Sequence, residues 1–167
     1  MMVGAVGVGG TVAIKNTVGN FIAALSPARN LAAAANIEVN LNEIREGQVM
    51  TFDWRGKPLV IWHREQATVD EVREVPDAEL KDPQRDEDRV QNPEYLVVLG
   101  ICTHLGCVPI AHSGLYNGFF CPCHGSHYDA SGRIRSGPAP TNLEVPPYHF
   151  VKSGENRIIV GIGKDEV

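Results

Sequence analysis

CTHLGC at residues 102–107 and CPCHGS at residues 121–126 are two short stretches that contain all four cysteines of the chain. Each stretch offers one thiol and one imidazole at close spacing, Cys102 with His104 and Cys121 with His124. Two cysteines and two histidines can bind one zinc ion, or a [2Fe–2S] cluster in which two histidines replace two cysteines on one iron. The remaining cysteines form a second matched pair, which a zinc site does not need. The sequence therefore predicts a metal centre between these stretches and leaves both kinds of centre open.

The bulk composition is that of an ordinary globular protein. The chain has 167 residues, 43% of them hydrophobic, and a net charge of −5. This length fits one domain with an appendage, and the negative charge gives no indication of a nucleic-acid partner. Four cysteines are too few for a disulfide-rich miniprotein of this length, so their spacing favours a metal site.

The N-terminal segment has the composition of a membrane anchor. Residues 1–14 are apolar or small throughout, and Lys15 follows them. A helix of this length spans roughly 21 Å, short of the roughly 30 Å hydrocarbon core of a membrane. We therefore interpret residues 1–25 as the C-terminal part of a transmembrane helix, with a disordered glycine-rich N-terminus as the alternative. Residues 26–36, which begin with a serine and a helix-ending proline and continue as an alanine-rich run, are interpreted as a flexible neck.

Residues 37–167 have the pattern of a mostly β head domain. Apolar and polar residues alternate from Ile37 to Asn42, as on a half-buried strand. The charged residues 82–93 are interpreted as a solvated connection, and residues 133–147 as a long proline-rich loop. The sequence predicts antiparallel sheets with a loop-rich subdomain inserted at about residues 100–145, and a surface helix within 68–80 that is broken at the proline at position 76. Turns are predicted at residues 55–58 and, as a hairpin, at residues 153–155. Further strands are predicted at 49–54, 59–62, 95–101, 118–120, 148–151 and 157–160.

Longer runs around the two cysteine stretches resemble the Rieske iron–sulfur proteins, and among them the Rieske subunits of cytochrome bc1 complexes. These runs are CTHLGCVPI from Cys102, CPCHGSHYD from Cys121, and GRIRSGPAP from Gly132. The resemblance implies an antiparallel Rieske head after a transmembrane helix and a flexible neck. It also implies one Rieske-type [2Fe–2S] cluster per chain.

The resemblance assigns the four metal ligands. It implies that Cys102 and Cys121 bind the inner iron and that His104 and His124 bind the outer iron. Replacing two thiolates by neutral imidazoles removes negative charge, which raises the reduction potential to roughly −150 to +300 mV from about −400 mV for plant-type clusters. The second ring nitrogen of each histidine can face solvent and exchange a proton. Electron uptake is then coupled to proton uptake, so His104 and His124 are also the expected catalytic residues.

Further residues have roles by the same resemblance. A disulfide is expected between Cys107 and Cys123, with the use of either as a metal ligand as the alternative. The hydroxyls of Ser126 and Tyr128 are expected to donate hydrogen bonds to cluster sulfur or to a ligand thiolate, which stabilises the reduced form. Two neighbours complete the expected cluster-binding set: Leu105, which shields the cluster and contacts a partner, and Gly106, whose backbone freedom the loop needs.

The family resemblance also implies a function, that of the catalytic iron–sulfur subunit of ubiquinol–cytochrome c reductase, a translocase. The cluster accepts an electron from ubiquinol at the quinol-oxidation site of cytochrome b, with proton release through His124. The mobile head then reduces cytochrome c1, which contributes to proton translocation. The expected location is the mitochondrial inner membrane, with the head in the intermembrane space, in a dimeric multi-subunit complex; a bacterial plasma membrane with a periplasmic head is the alternative.

Three other functions stay open on the sequence. A Rieske centre that feeds an oxygenase has soluble partners and lacks the extra cysteine pair. The small subunit of a molybdenum oxidase can share the disulfide, although the proline-rich loop and the neck argue against it. A zinc-stapled interaction module would use the same four ligands without redox chemistry.

Overall fold

The computed structural model describes residues 36–151 and 156–162. The expected membrane anchor (residues 1–25) lies outside the described residues, as does the expected neck except for its last residue. Within the described parts, no helix is long and apolar enough to cross a membrane.

The described residues form a mostly β domain, as the sequence predicts. The helices are short: α1 covers Gln66–Arg73 and α2 covers Asp86–Arg89, and two 3-10 turns cover Leu41–Glu43 and Asp77–Glu79. The strands are β1 (Ile37–Asn40), β2 (Val49–Trp54), β3 (Lys57–His63), β4 (Tyr95–Leu99), β5 (Ile110–Ser113), β6 (Asn117–Cys121), β7 (Ser126–Asp129), β8 (Ile134–Ser136), β9 (Tyr148–Phe150) and β10 (Arg157–Val160).

The strands pair in three antiparallel sheets. The first sheet has the order β1-β10-β9, the middle sheet β2-β3-β4, and the four-stranded sheet β5-β6-β7-β8. The first sheet joins the two ends of the described domain, since Ile37 pairs with Val160. The four-stranded sheet is built from one continuous segment, residues 110–136, which lies within the range 100–145 expected for a cluster-binding subdomain.

Strands β3 and β4 of the middle sheet are buried on both faces, and this explains their sequence. Leu59 and Ile61 of β3 face a core shared with the first sheet. Val60 and Trp62, which alternate with them, face a second core shared with the four-stranded sheet and α1. A strand covered on both sides reads as a continuous apolar run rather than an alternating one.

The charged connection between residues 82 and 93 is solvated surface only in part: Arg85, Glu87 and Asp88 are exposed, but two of its charged residues are buried. It contains α2, whose Asp86 is 1% exposed and whose Arg89 is 4% exposed. The carboxylate of Asp86 accepts hydrogen bonds from both Nη atoms of Arg64, at 2.6 and 3.2 Å. The hydroxyl of Ser131 donates a third at 2.7 Å. This buried ion pair ties the connection to the end of β3 and to the loop after β7.

Arg89 binds the same connection to the four-stranded sheet. Its guanidinium donates to the carbonyl oxygens of Ser131 and Leu143, both at 2.7 Å, and to the side chain of Gln84 at 2.7 Å. Burial lowers the pKa of Arg89 to about 10. Arg89 is therefore still charged at neutral pH, and its donors satisfy backbone carbonyls that would otherwise be buried without partners.

Three smaller expectations need correction. The segment 133–147 is not a loop throughout, because Ile134–Ser136 forms β8 at the edge of the four-stranded sheet. The surface helix begins at Gln66 and ends at Arg73, before the proline at position 76 that was expected to break it. Residues 57 and 58 belong to β3 rather than to the preceding turn. The expected hairpin turn at residues 153–155 lies outside the described residues.

Candidate metal centre

The two cysteine stretches follow strands of different sheets. Cys102 comes three residues after the end of β4, the last strand of the middle sheet. Cys121 is the last residue of β6, and a tight loop over residues 122–125 connects it to Ser126 at the start of β7. Because the four-stranded sheet packs on the middle sheet, the two loops meet at one edge of the domain, and both thiols lie in the core between these sheets.

The two loops have matching backbone geometry. The amide of Gly106 donates to the carbonyl of Cys102 at 2.9 Å, and the amide of Gly125 donates to the carbonyl of Cys121 at 3.0 Å. Both glycines close these turns at positive φ, 82° for Gly106 and 74° for Gly125. This left-handed conformation is strained for a residue with a Cβ atom. Each loop is thus a five-residue turn that presents its cysteine and its histidine on one side.

A disulfide joins the loops. Cys107, just after the first turn, is bonded to Cys123 inside the second, as the resemblance implied. Neither cysteine is therefore free as a metal ligand. The Sγ atoms of Cys107, Cys121 and Cys123 lie within 4.8 Å of one another, so the disulfide lies beside the thiol of Cys121.

The remaining thiols and the imidazoles divide into an inner and an outer pair. Cys102 and Cys121 are free cysteines, each 2% exposed. His104 is half-buried and His124 is exposed, and their rings lie perpendicular with centroids 4.7 Å apart. The Nδ1 atom of His104 is buried and has no hydrogen-bond partner among the described residues. A buried hydrogen-bonding atom without a partner costs free energy. A metal ion bound to this nitrogen would remove that cost, so the atom is suited to be a metal ligand.

Hydrogen-bond donors surround the thiol of Cys102. Burial raises its pKa, but bonds from the Tyr128 hydroxyl, the His104 amide, the thiol of Cys121 and the Ser126 hydroxyl together outweigh burial, and the pKa lies below its ordinary value. Donors that stabilise a thiolate also stabilise a thiolate bound to metal.

Cys121 has fewer such donors. Burial raises its pKa, and although the amides of Cys123 and His124 donate to the sulfur, the neighbouring Cys102 raises the pKa further. Two buried thiolates side by side repel each other unless a cation lies between them. The pair is therefore suited to a metal centre that neutralises both charges.

Sheet register explains why Ser126 and Tyr128 face the thiols. Ser126 pairs with Cys121, and Tyr128 pairs with Phe119, so the two hydroxyl residues share one face of β7 with Cys121. The hydroxyl of Tyr128 donates to the Sγ atom of Cys102 at 3.3 Å. His127 lies between them in sequence and therefore on the other face, where it accepts a hydrogen bond from the amide of Leu115 at 3.2 Å.

The segment Gly137-Pro138-Ala139-Pro140, here called the proline loop, approaches the site from a third side. Its Ala139 amide donates to the hydroxyl oxygen of Ser126 at 3.1 Å. The hydroxyl of Thr103 donates to the carbonyl of Thr141 just beyond the loop, at 2.7 Å. The ammonium of Lys81 donates to the carbonyls of Gly137 and Ala139, at 2.9 and 2.8 Å. The contacts of Thr103 and Lys81 could not be predicted from the sequence, because no local pattern at either residue indicates them.

The tip of the site is apolar and exposed. Leu105, expected to contact a partner, is 70% exposed, and Gly106 beside it is exposed as well. Val108, Ile110 and Leu115 are more than half exposed nearby in the sequence. Large apolar side chains that are exposed to this extent are typical of a contact surface.

The donor atoms do not converge on one point, which argues against a single zinc ion. The ligand atoms of a tetrahedral zinc site lie roughly 3–4 Å from one another, given bonds of about 2.0–2.3 Å. Among the described residues, Cys107, Cys121 and Cys123 form the group of three whose potential ligand atoms all lie within 4.8 Å of one another. Two of them, Cys107 and Cys123, are joined in the disulfide. A pair of thiols inside and a pair of imidazoles outside fit a dinuclear cluster instead.

Comparisons with known proteins agree with this geometry. The family model of the Rieske [2Fe-2S] domain matches residues 36–149. The chain is 54% identical over 154 residues to the mitochondrial Rieske subunit of the cytochrome b-c1 complex of Chlorocebus aethiops, covering 92% of this chain and 56% of that protein. The Gallus gallus subunit of the same name is 55% identical over 149 residues, covering 89% and 54%. The chain thus spans about half the length of these relatives.

A solved structure described as a hyperthermophilic respiratory Complex III contains a similar chain. The TM-score is 0.59 at 25% identity, with 92% of this chain and 98% of that chain covered. The family match covers more than half of the chain and includes both ligand loops and most of the described domain. On these grounds the chain belongs to the family of Rieske [2Fe-2S] domain proteins.

Proposed function

We propose that this chain is the electron-transfer subunit of a quinol:cytochrome c oxidoreductase. The observation that carries the proposal is the layering of the site, with two buried thiols inside, one half-buried and one exposed imidazole, and the exposed Leu105 next to His104 in the chain. Relatives at 54–55% identity are named as subunits of the cytochrome b-c1 complex, which supports the same class of activity.

Four side chains would bind the cluster. Cys102 and Cys121 would bind the inner iron, and His104 and His124 the outer iron, because the thiols are buried and the imidazoles reach the surface. A bound Rieske cluster supplies a one-electron acceptor of raised potential. The disulfide between Cys107 and Cys123 keeps the two ligand loops together.

His124 and His104 would exchange the proton that accompanies electron transfer from the quinol. His124 is exposed, so a free nitrogen of its ring can accept a hydrogen bond from a quinol hydroxyl and take its proton. His104 is half-buried beside it and is the second group that can exchange a proton with the surroundings. A proton held on these rings offsets the negative charge that an added electron brings to the site.

The hydrogen-bond donors around the two thiols would influence the reduction potential of the cluster. The hydroxyls of Ser126 and Tyr128 and the backbone amides of the loops donate toward sulfur. Such donors favour the more negative, reduced state and so raise the potential. Leu105 and Gly106 form the exposed tip that would contact cytochrome b, where water must be excluded around the quinol.

The remaining parts of the proposal concern architecture. Residues 1–25 would be the end of the membrane anchor, residues 26–36 the neck, and residues 37–167 the head, with the cluster-binding subdomain at about residues 100–145. The head would move between cytochrome b and cytochrome c1 and so contribute to proton translocation. The names of the relatives support the mitochondrial inner membrane, with the head in the intermembrane space; a bacterial plasma membrane with a periplasmic head is the alternative.

An optical and EPR redox titration of the cluster-loaded full chain, from about pH 6 to pH 10, tests the proposal. We expect a [2Fe–2S] signal with a positive midpoint potential that falls as pH rises, because proton uptake on the exposed imidazoles accompanies reduction. His112→Gln is the matched control. His112 is exposed and its ring contacts that of Trp62, with centroids 4.7 Å apart, so this variant should keep the pH dependence.

Other outcomes identify the competing functions. A negative midpoint potential that does not change with pH near neutrality contradicts quinol oxidation and indicates a carrier that serves an oxygenase. Stoichiometric zinc without an EPR signal contradicts both and indicates a structural module.

A further inference from the structure

Lys81 contacts the proline loop from a distant part of the chain. Its Nζ atom lies 2.9 Å from the carbonyl oxygen of Gly137 and 2.8 Å from that of Ala139. Both are short bonds from a charged donor, which are stronger than bonds between neutral groups. Lys81 thus binds the two carbonyls on either side of Pro138 with a single ammonium group.

These carbonyls belong to the residues that determine the position of the Ala139 amide. Ala139 is fully buried, and its N–H donates to the hydroxyl oxygen of Ser126 at 3.1 Å. Because that N–H occupies one lone pair of the oxygen, the hydrogen of Ser126 must point elsewhere. Ser126 is 1% exposed and pairs with Cys121 across β6 and β7, so its hydrogen lies in the buried region that also contains the two free thiols.

The loop has few other anchors near Ala139. Prolines at positions 138 and 140 have no N–H, so between residues 137 and 140 only Gly137 and Ala139 carry backbone donors. The nearest further bonds are at Thr141, whose carbonyl accepts from Thr103, and at Asn142, whose amide donates to Asp82. Lys81 therefore supplies the hydrogen bonds to the loop's own carbonyls, and its neighbour Asp82 fixes the residues just beyond.

We propose that Lys81 is a positioning residue, which orients the hydroxyl of Ser126 toward the cluster sulfur through the proline loop and thereby raises the reduction potential. The proposal rests on the proposed function, because it requires a cluster at this site. Lys81 itself touches neither the cluster ligands nor a substrate, so its effect passes through the Ala139 amide.

Two measurements on the full chain test this. In Lys81→Met, which keeps the aliphatic stem and removes the charge, hydrogen exchange at the Ala139 amide should become roughly tenfold faster, the factor expected for loss of about one net hydrogen bond. The midpoint potential of the cluster-loaded variant should fall, by less than in Ser126→Ala. Lys81→Arg, which can still donate to two carbonyls, should restore both values toward wild type. Lys57→Met, at an exposed lysine that begins β3, should change neither.

A double variant separates positioning from a general charge effect. If Lys81 acts through Ser126, the potential of Lys81→Met/Ser126→Ala should equal that of Ser126→Ala alone, because the hydroxyl that Lys81 orients is gone. The proposal is overturned by unchanged hydrogen exchange at Ala139, by an unchanged potential in Lys81→Met, or by an additive fall of the potential in the double variant. In each of these cases, a positive and pH-dependent wild-type potential would still support quinol oxidation. A wild-type chain without a [2Fe–2S] signal overturns both.

Discussion

The hydroxyl of Tyr128 lies 3.3 Å from the Sγ atom of Cys102 and also 3.2 Å from the backbone nitrogen of Thr103, the next residue. The Thr103 amide donates to the hydroxyl oxygen, so the hydroxyl hydrogen is available to the sulfur. Burial, together with the Cys102 thiol beside it, raises the pKa of Tyr128 to about 12. The Tyr128 hydroxyl therefore remains a hydrogen-bond donor across the physiological pH range. Through this hydroxyl, β7 is hydrogen bonded to the first ligand loop at Cys102.

Replacing this donor should lower the reduction potential. In Tyr128→Phe the ring still fills the core, but the sulfur loses a hydrogen bond that is stronger in the reduced state. We expect a fall of roughly 40 mV, which corresponds to about 1 kcal/mol for a one-electron couple. A redox titration of the cluster-loaded chain measures it.

Tyr116→Phe is the control for this change. Tyr116 contacts the guanidinium of Arg135 through its ring face, at 4.6 Å, and a phenylalanine ring can make the same contact. Its potential should equal that of the wild type. Equal potentials in both variants would show that the Tyr128 hydroxyl does not act on the cluster.

The sequence predicted the ligand loops better than it predicted their supports. Cys102, His104, Cys121 and His124 lie within two stretches of six residues, so their spacing alone indicates a shared site. Strands β3 and β4 were also predictable, because a strand covered on both faces is a continuous apolar run. Both predictions rest on residues that are close together in the sequence, so they can be made without knowledge of the folded structure.

The supports depend on partners far apart in the chain. Asp86 reads as one charge in a charged run, yet its partner Arg64 is 22 residues away and both are buried. Lys81 binds carbonyls 56 and 58 residues later. Every residue has a backbone carbonyl oxygen, so the sequence does not show which of these oxygens a lysine will bind. A lysine that binds carbonyls therefore cannot be distinguished from a solvated lysine by sequence.

Asp86→Asn should strongly destabilise the domain. The substitution leaves the guanidinium of Arg64, which is 1% exposed, without its carboxylate partner. Removing one member of a buried pair costs roughly 3–5 kcal/mol, because the remaining charge is uncompensated. Denaturant unfolding of the full chain measures the loss. The control is Asp88→Asn, an exposed position on the same helix, which should lose less than about 0.5 kcal/mol. Equal losses in the two variants would contradict this account.

The same pair makes the domain sensitive to acid. Burial alone would raise the pKa of Asp86, but bonds and attraction from Arg64, with further bonds from Ser131 and Arg73, lower it below its ordinary value. A depressed folded-state pKa contributes stability that is fully present above about pH 4 and is lost as pH falls through the folded value. The free energy of unfolding should therefore decrease below about pH 4, and the gap between wild type and Asp86→Asn should narrow there. A gap that stays constant as pH falls from about 5 to about 3 would exclude this contribution.

Removing the disulfide should loosen the ligand loops. Cys107 and Cys123 are 16 positions apart and enclose Cys121, so the bond restricts a loop that contains a metal ligand. In the chain-entropy model, a loop of this size contributes roughly 3 kcal/mol. The paired variant Cys107→Ala/Cys123→Ala should lose its cluster absorbance at lower denaturant concentration than the wild type. A reductant should shift the wild type in the same direction and leave the variant unchanged; a reductant effect of equal size in both would place the cause elsewhere.

Gly137→Ala tests the close approach of the proline loop to the second ligand loop. Gly137 has a φ of 100°, and a Cβ atom there would lie 2.5 Å from both the carbonyl oxygen of Gly125 and the Cα atom of Ser126. Backbone atoms cannot move aside cheaply, so the loop must separate from the site. We expect a loss of stability well above the roughly 1–2 kcal/mol that a positive φ alone costs an alanine, together with faster loss of the cluster.

Gly56→Ala isolates the backbone cost from the overlap. Gly56 also has a positive φ, 72°, but a Cβ atom there has nothing within 4 Å. This variant should lose only the conformational part of the stability and should keep its cluster as long as the wild type does. Since both glycines share the same backbone requirement, the difference between the two variants measures how closely the proline loop must pack on Gly125 and Ser126. Equal losses of stability and equal cluster lifetimes would mean that the loop can withdraw without affecting the site.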